Sequence, residues 1–452
     1  MATPQSILDK IAIIKDKRAA LVRLLDQPNL GTLRIDVNQA LEEIDDLLDE
    51  LAKPFPMRPS PPPAIAPASG SAAGSASPLT RLETFLQEQV TPQAAEIDQS
   101  PEALAAALAG LGARSLLTLR LPQAWGGQAL NSLDYWQAQR HLARASGSLA
   151  FLQTQHQSAA SLIAQGDNEA LKQAHLPLMA QGQRLVGVGF SHLRRGGVPC
   201  LRAVPVAEGY RLQGEIPWAT GWEYFSHLVA GATINESEHL LCLIPFGNCS
   251  GDRLQCSVPM ALAAFGVTQT VAIRLQDWWV PRDQVIAQRP SDWLQHSDRQ
   301  HVLKATAFLI GCAEAALEVM GQYVIHQQLA KTERVWQALS QELQICQANI
   351  LRAIAAAAPF EQQLRWRAEA IALCHRCTQA AVIASGGAAN LLSHPAQRLY
   401  REALVYSVTG QTAVLKAASL EALSLGPSVD NASELDDELE PQARLSSTSN
   451  DL

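Results

Sequence analysis

The sequence predicts a mainly α-helical chain with a central β-barrel-like domain, an N-terminal helical domain before it and a C-terminal four-helix bundle after it. Three observations carry this. From Pro78 to about Gln183 apolar residues recur at helical spacing, as in LTRLETFLQEQV and PEALAAALAGLGARSL. Around Arg184 the texture changes to short alternating or apolar runs between turns (RLVGVGFS, GYRLQGEI, HLVAGATI, HLLCLIPF, QTVAIRLQDWWV), the pattern of strands. After Trp293 long helical runs return with short connections, which is how a bundle reads in sequence.

Taken in order, residues 1–53 form a helical-hairpin extension. Ile7, Ile11, Ile14, Leu21 and Leu25 follow a three-four spacing, as do Val37, Leu41, Ile44, Leu48 and Leu51, and QPNLGT supplies the turn. A hairpin that small buries little surface alone, so the segment 5–53 is expected to pair with another copy, with a protein partner or with the main body. Residues 54–77 are a Pro/Gly/Ser/Ala linker, stiff in its proline-rich half and loose in the other. The N-terminal helical domain is placed at 78–183, with LPQAWGGQAL as a Pro/Gly loop between helices. The β domain follows at 184–288 and the bundle at 289–425. An acidic tail, expected to be disordered, occupies 426–452.

Composition narrows the function classes. Apolar residues are 47% and charged residues 17%, ordinary for a soluble globular protein. Net charge is −8, of which −6 sits in residues 430–452, so no basic nucleic-acid surface is expected. No apolar run is expected to approach the roughly 20 residues that span a bilayer, and the N-terminal stretch lacks a signal-peptide core, so a cytoplasmic location is expected. Eight cysteines in such a chain argue for free thiols. The Cys374, His375, Arg376, Cys377 run lies within a helical stretch without a second ligand pair at zinc spacing, and reads as a packed pair with no metal.

Four fragments in order resemble the acyl-CoA dehydrogenase family over residues 78–425. LPQAWGG looks like the family's loop of proline, aromatic and double glycine. GYRLQGEIPWATG (209–221) resembles its strand ending in Lys-x-Trp-Ile-Thr, and WWVPRDQVI (278–286) its exit from the β domain. Residues 386–412, GGAANLLSHPAQRLYREALVYSVTGQT, match its C-terminal signature without a gap. The resemblance implies FAD between the β domain and the bundle, an acyl thioester substrate and a homo-oligomer. It assigns cofactor contacts to Ser191, Trp218 and Thr220 on the β side and to Gly386, Gly387 and Thr412 on the bundle side. An aromatic there covers the ring, hydroxyls hold its polar edge, and glycines permit close approach.

The chain also departs from that pattern. The family's third glycine is Ala389, the glutamine before the double glycine is Ile383, and an arginine that pairs with the FAD pyrophosphate falls at Gln327, which removes a charge-assisted contact. The usual catalytic Glu falls on Gly410. Some relatives carry that base about ten residues before a Leu-Gly pair, here resembling Ile310 and Gly311, which places it at His301; imidazole is a general base near neutral pH. Glu402 replaces an Asp of structural pairing, and His394 before Pro395 is a further candidate. Three readings stand open: an acyl-thioester dehydrogenase with a relocated base, a two-component flavin monooxygenase fed reduced flavin by a partner reductase, and an inactive dehydrogenase-like scaffold docked through the hairpin.

Overall fold

The computed structural model describes residues 76–247, 250–327 and 329–425, with a few scattered residues before them. The chain divides into two units, Met1–Ser75 and Ala76–Leu452. The hairpin over 5–53, nearly all of the linker and the tail from 426 onward lie outside the described residues.

Among the described residues six α-helices open the second unit: α1 (Pro78–Phe85), α2 (Ala94–Gln99), α3 (Pro101–Ala113), α4 (Ser132–Ala145), α5 (Gly147–Ala164) and α6 (Glu169–Ala180). Local chemistry starts them. Ser77, Ser100, Asn131, Ser146 and Asn168 each sit at an N-cap and accept from a backbone N–H of the first turn, satisfying a donor the helix leaves free. The double glycine of LPQAWGG is required by the backbone. Gly126 has φ 84°, and a Cβ on Gly127 would lie 2.1 Å from the Leu121 carbonyl oxygen.

Among the described residues nine strands follow: β1 (Val186–Gly189), β2 (Leu201–Val206), β3 (Gly209–Ala219), β4 (His227–Thr233), β5 (Glu238–Pro245), β6 (Ser250–Gly251), β7 (Leu254–Cys256), β8 (Val271–Pro281) and β9 (Val285–Pro290). Their order is β6-β7-β8-β3-β2-β4-β5-β9, with β1 pairing β4 in parallel. The long antiparallel pair of β3 and β8 is irregular between Ile216 and Ala219, where the ladder releases the segment carrying Trp218. His156 of α5 joins the helical domain to the sheet. Its Nδ1 accepts from the Val186 N–H at 3.1 Å, and its Nε2 donates to the Met179 carbonyl at 3.2 Å.

The C-terminal part holds α7 (Trp293–Gln300), α8 (Thr306–Gln327), α9 (Ala330–Ala355), α10 (Phe360–Ser385), α11 (Pro395–Val408) and α12 (Ala413–Leu425). Helices α8 to α11 pack as a bundle, with α12 against α10 and α4 against α8. Contact between α4 and α8 is close, since a Cβ on Gly311 would lie 2.3 Å from the Arg140 carbonyl oxygen. Two ion pairs border it, Arg140 to Glu314 and Arg144 to Glu318, both at 2.6 Å. Contrary to the expectation from sequence, one stretch among the described residues, Thr306–Ile325, is long and apolar enough by length and composition to cross a membrane. Two-thirds of that window (67%) is buried, as in the core helix of a bundle. Ile383 of α10, Leu391 and Leu392 in the connection that follows it, and Leu404 and Val408 of α11 are exposed.

Candidate active site

The β-side residues come from two places. Ser191 is exposed at the start of a 3-10 turn (Ser191–Arg194) that follows β1 and packs against β3. Trp218 is 46% exposed at the end of β3. Thr220, just beyond it, is buried, and its hydroxyl lies 3.0 Å from that of Thr270, also buried. Two hydroxyls carry two hydrogens and their mutual bond uses one, so a buried O–H remains without an acceptor among the described residues. Trp222 adds a second such donor, because its Nε1 is buried and unpartnered. Both suit an acceptor-rich planar edge such as that of a flavin, which carries ring nitrogens and carbonyl oxygens.

The segment facing Thr220 is strained. Phe265 (φ 58°) and Gln269 (φ 52°) both adopt left-handed backbone, which costs on the order of 1–2 kcal/mol for each side-chain-bearing residue. Hydrogen bonds from the Gly221 N–H to the Thr268 carbonyl (2.9 Å) and from the Trp222 N–H to the Gln269 carbonyl (3.1 Å) hold it there. Phe265 then stacks on Phe151 at 5.2 Å and tilts against Tyr406 at 5.6 Å, and Tyr406 stacks on Phe308 at 5.4 Å. These rings connect the sheet loop with α5, α8 and α11.

The bundle-side residues are placed differently. Gly386, with φ 60°, ends α10, and neither it nor Gly387 has any atom within 4 Å of an added Cβ, so both face open space. Thr412 caps α12, its hydroxyl accepting from the Leu415 N–H at 3.2 Å. Ala389 is buried and Ile383 is exposed, while Gln327 ends α8 with its side chain outside the described residues. Gly410 has φ 60°, and a Cβ there would also meet nothing within 4 Å.

His301 closes α7 as its C-cap. Its Nδ1 donates to the Ser297 carbonyl at 2.9 Å, so the proton is on Nδ1 and the Nε2 lone pair is bare in the neutral ring. Burial, then Lys304, hold its pKa below the usual histidine value. Glu402 is buried on α11, where Oε1 accepts from Arg398 at 2.8 Å and from the Gly147 N–H at 3.3 Å. That is a helix-to-helix tie. Burial pushes its carboxyl up against the pull of Arg398. His394 is the N-cap of α11, accepting from the Ala396 N–H at 3.2 Å, with Nε2 3.1 Å from the Tyr323 hydroxyl.

One residue brings the two candidate base positions together. Arg367, buried on α10, donates from one terminal nitrogen to the Val302 carbonyl at 2.9 Å and from the other to the Thr409 carbonyl at 2.7 Å. Val302 follows His301 and Thr409 precedes Gly410, so the helix-borne and loop-borne positions share one guanidinium. Burial pulls Arg367 down to about 10.

The model of the family domain described as "Acyl-CoA dehydrogenase, N-terminal domain" matches residues 79–183. The same fold extends through the sheet and bundle: the crystal structure of acyl-CoA dehydrogenase from Geobacillus kaustophilus matches with TM-score 0.65 at 16% identity, covering 77% of this chain and 97% of that one. The chain is a divergent relative of the acyl-CoA dehydrogenases. Among curated proteins, the probable acyl-CoA dehydrogenase YngJ of Bacillus subtilis is 23% identical over 251 residues, 54% of this chain and 66% of that protein. The mitochondrial isovaleryl-CoA dehydrogenase of Bos taurus is 30% identical over 142 residues, 30% of this chain and 33% of that protein. The matches thus span just under two thirds of the first relative and about one third of the second.

Sequence reasoning missed Thr270, Trp222 and Arg367. Trp222 lies four residues after Trp218, just past the end of β3. Arg367 falls on the apolar stripe of Leu364, Ala368, Ile371 and Cys374, and a charge on a buried stripe is a signal in itself. Thr270 had none, because its partner is 50 residues away.

Proposed function

We propose that the chain is a flavin-dependent oxidoreductase of acyl-CoA dehydrogenase type, acting on an acyl thioester as a homo-oligomer. The observation that carries this is the spare hydroxyl hydrogen of the paired Thr220 and Thr270 together with the unpartnered buried Nε1 of Trp222, beside the half-exposed Trp218. These hold the polar edge of a flavin while Trp218 covers its face and keeps water away. When bound, the flavin supplies a two-electron acceptor. The chain supplies the proton acceptor, and the atom is the bare Nε2 of His301, neutral at pH 7 because its pKa is depressed. Arg367 fixes Val302 and Thr409, so His301 stands beside the loop from which Gly410 offers no carboxylate.

A second reading, a flavin monooxygenase supplied with reduced flavin by a reductase, is favoured by one fact: neither position 301 nor 410 holds an acid. Anaerobic mixing of flavin-loaded protein with acyl-CoA thioesters separates the two. Bleaching without a reductase, lost in His301→Ala, supports dehydrogenation. No bleaching by any chain length, with oxygen consumption in a separate aerobic assay only when a reductase is added, sinks it in favour of the second reading. If no flavin binds, the scaffold reading is what remains.

A further inference from the structure

Among the described residues seven that bear a side chain adopt left-handed backbone. Three of them, Glu223 (φ 71°), Phe265 (φ 58°) and Gln269 (φ 52°), stand in two segments that hydrogen-bond to each other beside Thr220. At other such positions the fold offsets the cost locally. Ala357 (φ 45°) ends α9, where the Ala358 N–H reaches back to the Ala353 carbonyl at 3.0 Å, a common helix ending. The carboxylate of Asp277 pairs with Arg211 at 3.3 Å and Arg253 at 3.5 Å. Phe265 has the ring contacts described above, and Glu223 is exposed, where bulk water solvates its carboxylate. Gln269 differs from all of these. It is half-buried, yet its side-chain amide makes no hydrogen bond among the described residues.

Its backbone is fixed at the site. The Gln269 N–H donates to the Gly266 carbonyl at 3.1 Å, and its carbonyl accepts from the Trp222 N–H at 3.1 Å. The next residue, Thr270, is the hydroxyl partner of Thr220 at 3.0 Å. Gln269 is thus one hydrogen bond from Trp222 and one peptide from the threonine pair, the two sources of free hydrogen. Both of those are donors. The pyrimidine edge of a flavin carries two carbonyl oxygens with one ring N–H, N3–H, between them. Donors alone leave that N–H unanswered, which costs free energy in a place closed to water. The side-chain oxygen of Gln269 is an acceptor that the protein itself leaves unused. Glycine would take this backbone without strain but has no amide, and strain with no offset in the folded chain collects where a ligand is held.

We infer that Gln269 is a further flavin-binding residue, whose side-chain oxygen accepts from the ring N3–H while the threonine pair and Trp222 donate to the ring's acceptors. The inference rests on the flavin reading above and adds to it the one acceptor that the donor set lacks.

The test compares the full-length parent, Gln269→Gly and Ala357→Gly by chemical denaturation without flavin and by titration with FAD and with FAD methylated at N3. Glycine adopts left-handed backbone freely, so both variants should unfold at a denaturant concentration equal to or above the parent's. FAD affinity should fall roughly tenfold in Gln269→Gly, the size of one buried hydrogen bond, and stay unchanged in Ala357→Gly. Methylation at N3 should weaken binding to the parent by about the same factor and to Gln269→Gly by much less. A residue that only shapes the loop would lose stability and affinity together. That joint loss overturns the inference, as does equal FAD affinity in the parent and Gln269→Gly, or a methylation penalty that the variant keeps in full. A parent that takes up no FAD is a different failure, because it removes the flavin reading itself and this inference with it.

Discussion

The Arg367 guanidinium donates at 2.7 Å to the carbonyl of Thr409, the residue immediately before Gly410. Its second bond, to Val302 next to His301, makes α10 the common support of the two places from which a base can act. The loop after α11 is therefore held in position without a side chain at Gly410.

Arg367→Met should lower stability by about 1–3 kcal/mol, because two buried carbonyls lose charged donors while the desolvation cost of the guanidinium is recovered. Chemical denaturation measures this. A variant as stable as the parent would mean that burying the charge costs as much as its bonds return.

The Arg398 and Glu402 pair is buried on both sides, with side-chain exposures of 7% and 1%. Glu402→Ala leaves a buried guanidinium unanswered and should cost about 3–5 kcal/mol. Glu402→Gln, whose amide oxygen still accepts from Arg398 and Gly147, should cost less. Equal losses would show that the carboxylate's charge contributes nothing beyond its hydrogen bonds.

His156 links stability to pH. Its folded pKa is held to about 4 by burial, below the unfolded value of about 6.5, so the unfolded chain binds more protons between those values. Stability from this group is complete above about pH 6.5 and is lost as pH falls toward 4, by about 3 kcal/mol in all. His141, His175 and His192, also held to about 4, add in the same direction. The His156 share is the difference between the parent and His156→Gln in denaturation curves across this range. Parallel curves would remove it.

Gly410→Glu restores a carboxylate where the family resemblance expects one. The added side chain has room, and the φ of 60° should cost about 1 kcal/mol. Chemical denaturation measures that cost, and a loss well above it would mean that the loop after α11 does not accommodate a side chain.

The fold was legible because each layer has its own period. Helical stripes, short strands and the glycines of LPQAWGG are local signals, and the chain's caps and turns obey them. The site was only partly legible. Trp218 and Thr220 stand out within one strand, but the hydroxyl partner of Thr220, the two carbonyls under Arg367 and the Gly147 N–H bonded to Glu402 lie 42 to 255 residues from their partners. Such pairings leave no periodic trace. The bundle-side residues were legible as a motif, yet Gly387 faces open space and Thr412 spends its oxygen on capping α12, geometry that no spacing encodes.

The most direct measurement of the central claim is an absorbance spectrum of the purified protein after loading with FAD and desalting, repeated after anaerobic loading with reduced flavin, desalting and readmission of air so that any bound flavin regains its bands. Retained flavin bands, diminished in Trp218→Ala and in Thr220→Val, are the expected result. A protein that emerges colourless from both loadings contradicts it.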